Sequence, residues 1–240
     1  NALSRWLEVE VQYQGRRYAQ RYERGRPVTE VIDLGQASGH GTRTHFLPDT
    51  DIMHTLDYRF KALTLRFREM ALLTRGLTIH ARDLREGREV TYHFEGGLKA
   101  FIHLLNRNRQ CLHDPFYVEG ELEGTSVEVV LQYTDGYAES VFSFANNINT
   151  VDGGTHLTGF RSALTRSLNE YARTAGLLKD NEGNFSGEDV REGLTAIVSV
   201  KLADPQFESQ TKAKLGNAEV QSQVASIFGT HVDVDSLHCV

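Results

Sequence analysis

An alternating run of apolar residues that ends before a proline constrains this chain more than any other stretch. Leu194, Ala196, Val198 and Val200 occupy every second position, so on a β-strand they share one face of a sheet. Pro205 cannot donate to a β-ladder, and it disfavours helix at the residue before it. The sequence therefore predicts a strand with one buried face, followed by a loop.

This loop carries an amide, a hydroxyl and an ammonium at three consecutive positions, Gln210, Thr211 and Lys212. An ammonium on a flexible stem beside short polar donors suits a phosphate group. The alternative is that Lys212 and Lys214 form an ordinary solvated loop edge. Spacing alone favours that alternative, because charge patterning is a weak functional signal.

The first part of the chain predicts antiparallel strands and one helix. Residues 7–13 and 17–23 form a hairpin, a third strand begins at Gly41, and residues 25–27 and 35–41 are loops. A further hairpin is predicted over 77–94. Apolar side chains at spacings of three and four predict a helix before Gly76: Leu56, Phe60, Leu63, Phe67 and Met70. This mixture is typical of an α+β fold.

A second unit is predicted from residue 95 onward. It begins with a short helix over 98–105 and strands over 116–121 and 127–133, and Asp135-Gly136 predicts a hairpin turn into a strand over 138–145. A polar loop then opens the longest helix, and a last helix is predicted over 218–228.

Composition excludes several classes of protein. The net charge is −6, so a DNA-handling role would require a local basic surface. Two cysteines, Cys111 and Cys239, are too few for a disulfide framework, and no apolar run of about 18 residues predicts a membrane span. The histidines have no spacing that suggests zinc, so no metal site is predicted.

At three other positions the sequence allows either a purely structural role or a role in binding a ligand. Gly153-Gly154 before a helix could cradle a phosphate, but without a P-loop lysine the pattern favours a tight strand-to-helix connection. Arg161 and Arg166 lie off the apolar face of the longest helix, where a solvated face is the simpler interpretation. Gly41-Thr42 means little by itself.

Several segments together resemble the gyrase B proteins of bacteria and their relatives in topoisomerase IV, from Asn1 to about Val220. In chain order they are Asn1-Ala-Leu-Ser4, Tyr92-x-Phe94-Glu95-Gly-Gly-Leu98-Lys-Ala-Phe101, the block from Phe144 to Arg161, Gly187-Glu-Asp-Val-Arg-Glu-Gly-Leu194 and Asp204-Pro-x-Phe-x-x-Gln-Thr-Lys212. The Glu95-Gly-Gly-Leu98-Lys99 and Gly193-Leu-Thr-Ala196 segments favour gyrase over topoisomerase IV.

The resemblance implies a two-part α+β fold. Residues 1–94 would be the C-terminal half of a GHKL (Bergerat) ATPase domain, an α/β sandwich. Residues 95–240 would be a transducer domain of the ribosomal-protein type, with a left-handed βαβ crossover against the usual rule. Residues 229–240 do not resemble the long helix expected next, and we treat them as an atypical tail.

The resemblance also assigns roles to single residues. Thr42 would hydrogen-bond in the adenine pocket, and Gln210 and Lys212 would bind the γ-phosphate of ATP, with Lys212 contributing to catalysis. Arg161 would face the DNA segment that is passed through the enzyme.

The implied function is that of an ATP-hydrolysing type II topoisomerase, an isomerase that couples ATP to DNA strand passage and negative supercoiling. The implied cofactors are ATP and Mg, with the metal site outside these 240 residues. The implied partners are the gyrase A protein in a heterotetramer with two copies of each protein, a second copy of the ATPase domain, and double-stranded DNA, in the cytoplasm and without a membrane. The family's base glutamate precedes Asn1, so we expect these 240 residues to be an inactive fragment.

Alternatives remain at this point. One is the ATPase component of topoisomerase IV. Another is a non-enzymatic nucleic-acid-binding module of the ribosomal-protein type, which the net negative charge and the lack of clustered aromatic and basic residues disfavour. Mismatch-repair and chaperone ATPases lack the Gln-Thr-Lys run after Asp-Pro-x-Phe.

Overall fold

A computed structural model describes residues 1–179 and 181–232 of the chain. By density of internal packing the chain divides into two units, Asn1–Phe60 and Lys61–Val240. The predicted domain boundary between residues 94 and 95 stays a prediction. Within the described residues, no helix has the length and apolar character needed to cross a membrane.

The first unit is an antiparallel sheet of five strands. β1 (Ser4–Tyr13) lies between β2 (Arg16–Glu23) and β5 (Gly41–Pro48), while β3 (Arg26–Pro27) and β4 (Ile32–Gln36) both pair with β2. Gln14 and Gly15 join β1 to β2 with positive φ angles of 48° and 77°, the backbone that a tight hairpin requires. The predicted hairpin is therefore confirmed.

β4 contradicts part of the sequence-based prediction, since residues 35 and 36 belong to a strand and not to a loop. Gly35 has a φ of 98° inside this strand. Glycine is depleted in strands and is usually a sign of a loop, so the local signal was misleading.

The second unit is a mixed sheet with helices on both faces. Before the sheet come α1 (Phe60–Leu73), the hairpin of β6 (Thr78–Asp83) and β7 (Arg88–His93), and α2 (Gly97–Asn106). The sheet contains β8 (Phe116–Leu122), β9 (Thr125–Tyr133), β10 (Ser140–Ala145), β11 (Ile148–Asn149) and β12 (Leu194–Lys201), in the order β11-β10-β12-β9-β8. α3 (Thr155–Thr174) connects β10 to β12, and α4 (Ala218–His231) follows.

β12 is the central strand and is buried on both faces. Its even-numbered apolar residues pack with α3 and α4, whereas Ile197 points to the opposite face and packs with α1 and α2. We predicted one buried face, from the alternating apolar residues alone, and Thr195 and Ser199 lie on the other face. Both are nevertheless buried, and Thr195 donates to Oδ1 of Asn106 at 2.8 Å.

The predicted hairpin at Asp135-Gly136 is wrong. β9 pairs antiparallel with β12, and β10 pairs parallel with β12, so β9 and β10 lie on opposite sides of the same strand. A central strand needs two neighbours to satisfy its backbone, and this long-range pairing overrides the local turn signal. The resulting β10–α3–β12 unit is the crossover that we predicted, and its left hand stays a prediction.

α1 leaves exposed several of the apolar side chains from whose spacing it was predicted. The helix begins at Phe60, four residues after Leu56, and Leu63 and Met70 are exposed within the described residues. The buried side is formed by Leu72 and Leu73, which pack against α2 and the sheet. Tertiary packing therefore selects a different face from the one that periodicity selects.

α3 and α4 pack closely because α3 has a glycine at their contact. A Cβ atom on Gly159 would lie 2.3 Å from the carbonyl oxygen of Gln221 in α4, well inside van der Waals contact. α4 extends to His231, three residues past the predicted end at residue 228. Residues 233–240 of the tail lie outside the described residues.

Two glycine substitutions in these helices should have opposite effects. Alanine is the better helix former by up to about 1 kcal/mol. We expect Gly159→Ala to lower the free energy of unfolding by about 1–3 kcal/mol, because overpacking outweighs that gain. Gly229→Ala in α4 should be neutral or stabilising, since its nearest neighbour is the flexible end of Arg166, 3.0 Å from the added Cβ. Urea denaturation of the two variants tests this, and equal midpoints would contradict it.

Candidate functional site

The loop that carries Lys212 is a closed hairpin, residues 204–216, which we call the Lys212 loop. Phe207 and Leu215 pair as an antiparallel bridge, and the backbone N–H of Glu208 donates to the carbonyl of Lys214 at 3.1 Å. Asn217 holds the base: its Oδ1 accepts from the N–H of Gln206 at 2.7 Å, and its amide donates to the carbonyl of Asp204. The loop is thus fastened to the start of α4.

The tip of the Lys212 loop presents Gln210, Thr211 and Lys212 to solvent. The N–H of Lys212 donates to the carbonyl of Ser209 at 3.0 Å, and Lys212 has a φ of 57°, so the chain turns back in a left-handed conformation. The hydroxyls of Ser209 and Thr211 lie 2.6 Å apart. The three residues named from the sequence therefore share one exposed turn.

The two lysines of the loop differ in their partners. Lys214 forms an ion pair with Glu208, with 2.9 Å between Nζ and Oε1. Lys212 forms no ion pair within the described residues, and its Nζ lies 5.8 Å from the ring centroid of Phe207. Of these two lysines, Lys212 is therefore the one that offers an ammonium without a carboxylate neighbour in the described part of the chain.

The Lys212 loop is hydrogen-bonded to the start of α3. The N–H of Asp152 donates to the carbonyl of Ala213 at 2.9 Å, Leu215 donates to Gly153 at 3.2 Å, and Thr155 donates back to Leu215 at 3.1 Å. A Cβ on Gly154 would lie 2.5 Å from the carbonyl oxygen of Leu215. Glycine is therefore required at position 154, because the backbone of Leu215 approaches too closely for any side chain. This reason is more specific than the tight strand-to-helix connection that the sequence predicts.

A buried histidine lies beneath this junction. His156 is fully buried, its Nε2 lies 3.1 Å from the hydroxyl of Thr150, and its Nδ1 has no hydrogen-bond partner among the described residues. Burial disfavours the charged imidazolium and lowers the pKa of His156 to about 4. The side chain is neutral at pH 7 and contributes packing, not charge.

α3 also forms one wall of a basic cleft of about 780 Å³, which we call the α3 cleft. Among the described residues its lining includes one carboxylate, Glu170, and four arginines: Arg161, Arg166, Arg173 and Arg191. Arg173 is engaged with the loop that follows α3, where its Nη2 donates to Oδ1 of Asn184 at 2.6 Å. The chain has a net negative charge, yet this surface concentrates positive charge.

Arg161 is not a free surface residue. Its Nη2 donates to Oε1 of Glu139 at 2.6 Å, while Oε2 of the same carboxylate accepts from Nε of Arg191 at 3.1 Å. The Nε of Arg161 is buried and has no hydrogen-bond partner within the described residues. Sequence reasoning missed Glu139 and Arg191, because they lie 22 and 30 positions from Arg161 and no local pattern connects them.

Thr42 lies in the first unit, whereas the Lys212 loop and the α3 cleft are formed by residues of the second unit. It is exposed on β5, opposite Val11 of β1, and β5 has no second neighbouring strand among the described residues. The structure thus brings Gln210 and Lys212 together, and it leaves Thr42 and Arg161 on other elements. Within the described residues, no group of acidic, histidine or cysteine side chains has the arrangement of a metal site.

Comparison with known proteins identifies one family. A sequence model described as DNA gyrase B matches residues 97–235, more than half of the chain. The DNA gyrase B protein of Clostridium acetobutylicum is 50% identical over 97% of this chain and 37% of its own length. That protein and the DNA gyrase B protein of Halalkalibacterium halodurans are both much longer than the chain, which spans 37% of each of them.

Solved structures agree with these sequence matches. The 43K ATPase domain of Thermus thermophilus gyrase B, in complex with an aminocoumarin, is similar with a TM-score of 0.83 and 36% identity, covering 99% of this chain and 64% of that one. The ATP-binding domain of Francisella tularensis topoisomerase IV is similar with a TM-score of 0.85 and 26% identity, covering 99% of this chain and 65% of that one. The predicted fold class is therefore confirmed.

The burial of His156 predicts a pH dependence of stability. The pKa is about 4 in the folded protein and 6.5 when unperturbed, so between these values the unfolded chain binds more protons. The contribution is fully present above pH 6.5 and is lost as the pH falls toward 4, by at most about 3–4 kcal/mol at about 1.36 kcal/mol per unit. We expect the free energy of unfolding of wild type, relative to His156→Gln, to fall from about pH 7 to about pH 4.5.

The control for this measurement is His103→Gln, which removes an exposed histidine of α2. Its unfolding free energy should follow that of wild type across the same range. A difference between wild type and His156→Gln that does not change with pH would contradict the prediction.

Proposed function

The chain belongs to the DNA gyrase B family, and from this membership we propose that it couples ATP to DNA strand passage within a type II topoisomerase. One observation carries the proposal: the Lys212 loop and the start of α3 are joined by three backbone hydrogen bonds. The loop would respond to nucleotide, and α3 carries arginines of the α3 cleft. A shift at the loop would therefore be passed to the helix without an intervening side chain.

Lys212 and Gln210 would hold the terminal phosphate of ATP. The donor set fits a phosphate, because the loop tip offers an amide, a hydroxyl and an ammonium, and the nearest carboxylate of the loop, Glu208, is occupied by Lys214. When bound, ATP supplies the phosphoanhydride bond whose hydrolysis drives the cycle. The ammonium of Lys212 stabilises negative charge at its phosphate end.

Lys212 cannot activate water, since an ammonium is no base. The family resemblance assigns proton removal and the Mg ion to residues that are not among these 240. The 240 residues alone are therefore expected not to hydrolyse ATP. Thr42 keeps its proposed role at the adenine, and its exposed position on a strand paired on one side is compatible with a partner on the open edge.

Contact between Lys212 and a phosphate would bias a switch. The hydrogen bonds from Asp152, Leu215 and Thr155 make the loop and the N-terminus of α3 one mechanical unit. A ligand that binds one position of this unit shifts the population toward that position by its differential affinity. α3 would then present Arg161 to a DNA segment, whose phosphates a few arginines can hold without reading sequence.

The remaining assignments follow from family membership as proposals. The intact protein would act with the gyrase A protein in a heterotetramer, would dimerise through its ATPase domain, and would work on double-stranded DNA in the cytoplasm. The names of the curated relatives favour gyrase over topoisomerase IV and over a non-enzymatic nucleic-acid-binding module.

The test is the ATPase rate of the full-length protein with Lys212→Ala. Loss of one preorganised charge at the transferred phosphate should lower the rate by about 10²–10³. ATP binding, measured separately, should be largely kept, because other parts of the protein would hold the adenine and the remaining phosphates.

Lys214→Ala is the matched control, two residues away on the same loop. It removes an exposed ion pair, worth at most about 1 kcal/mol, and should leave the ATPase rate near that of wild type. Wild-type ATPase rates in both variants would show that Lys212 does not contact the phosphate, and they would contradict the proposed coupling between the Lys212 loop and α3.

A further inference from the structure

Glu139 does not line the α3 cleft itself, but its carboxylate bonds to two of the arginines that do. Glu139 is the residue immediately before β10, and its carboxylate bridges the guanidinium groups of Arg161 and Arg191 with bonds of 2.6 and 3.1 Å. Its side chain is 31% exposed, and those of Arg161 and Arg191 are 40% and 18% exposed. The bridge is therefore partly sheltered and reachable from solvent.

The other charges of the cleft are arranged differently. Arg166 makes no ion pair within the described residues, and Glu170 likewise has no ion pair among them. Arg173 is held by the loop before β12. Glu188, Asp189 and Glu192 line a neighbouring cleft together with Glu139 and Arg191. Of the carboxylates that line either cleft in the described part of the chain, Glu139 is the one bonded to guanidinium groups.

A phosphate and a carboxylate compete for the same face of a guanidinium. Both accept charge-assisted hydrogen bonds from the guanidinium fork, and Glu139 already accepts one from Nη2 of Arg161. A duplex that contacts Arg161 must therefore displace Glu139 or share the arginine with it. The free energy gained when a phosphate contacts Arg161 is therefore reduced by the loss of attraction between Arg161 and Glu139.

Resting on the proposed function of the α3 cleft, we propose that Glu139 is an internal competitor for the DNA phosphates that reach Arg161. It keeps Arg161 and Arg191 ordered when no duplex is present, and it lowers the affinity of the cleft for a duplex that must pass. Glu139 is a positioning residue, since it acts through the two arginines.

The experiment measures binding of a fluorescent duplex of about 20 base pairs to the 240-residue chain by anisotropy over a range of salt concentrations. We expect Glu139→Gln to bind about tenfold more tightly than wild type at low salt, because a neutral amide releases the guanidinium groups. The plot of log affinity against log salt should steepen by about 1–2, since one or two more phosphates would be neutralised. The gain should vanish in the double variant Glu139→Gln/Arg161→Ala.

Glu170→Gln is the control for net charge. It removes one negative charge from the α3 cleft, next to the same arginines, without breaking an ion pair, so its affinity should stay within about twofold of wild type. An equal gain in Glu170→Gln and Glu139→Gln would overturn the proposal, because simple charge removal would then suffice.

The outcomes separate this proposal from the one on which it rests. If Arg161→Ala weakens binding and Glu139→Gln binds like wild type, the cleft contacts DNA and the competitor role is wrong. If neither variant changes affinity, the DNA-facing role of Arg161 fails as well. Should Glu139→Gln lower the urea midpoint, Glu139→Asp keeps the charge with a shorter reach, and its affinity should lie between those of wild type and Glu139→Gln. An affinity at or below that of wild type would overturn the proposal.

Discussion

The close approach of two backbone segments at Gly154 is the contact on which the candidate site depends. The carbonyl and amide of Leu215 lie where a side chain of residue 154 would begin, so only glycine allows the hydrogen bonds that join the Lys212 loop to α3. Further along α3 the same device recurs, since Gly159 lets the backbone of α4 approach. The loop, α3 and α4 are thus joined by close backbone contacts in addition to the shared apolar core, in which Phe160 of α3 packs against Phe228 of α4.

Local ion pairing decides which cations of the site are free to meet a phosphate. Glu208 pairs with Lys214 and leaves Lys212 unpaired among the described residues. The single negative charge of Glu139 is shared between Arg161 and Arg191, while Arg166 has no ion pair in the described part of the chain. Net charge gives no hint of this pattern, because it averages over the whole chain. A protein with a charge of −6 can therefore present phosphate-binding groups, provided that its carboxylates are already engaged elsewhere.

Errors in the sequence-based prediction arose where distant segments compete with local signals. Asp135-Gly136 has the composition of a hairpin turn, yet β12, about sixty residues later, lies between the two strands that this turn was expected to join. The α1 stripe has the right spacing, yet Leu72 and Leu73 are the residues that meet the core. In both cases the burial of a large apolar surface in the second unit outweighs a local preference worth about 1 kcal/mol or less.

Short-range periodicity and contiguous motifs were enough to predict the family, the α+β class, most strand and helix positions and the loop that carries Gln210, Thr211 and Lys212. Three contacts became visible only in the folded chain: Gly154 touches Leu215, Glu139 bridges Arg161 and Arg191, and Lys214 rather than Lys212 is paired. Most of these contacts join residues 22 to 61 positions apart, so they exist only after the sheet order is set. Even the choice between two neighbouring lysines depends on side-chain geometry, which spacing alone does not encode.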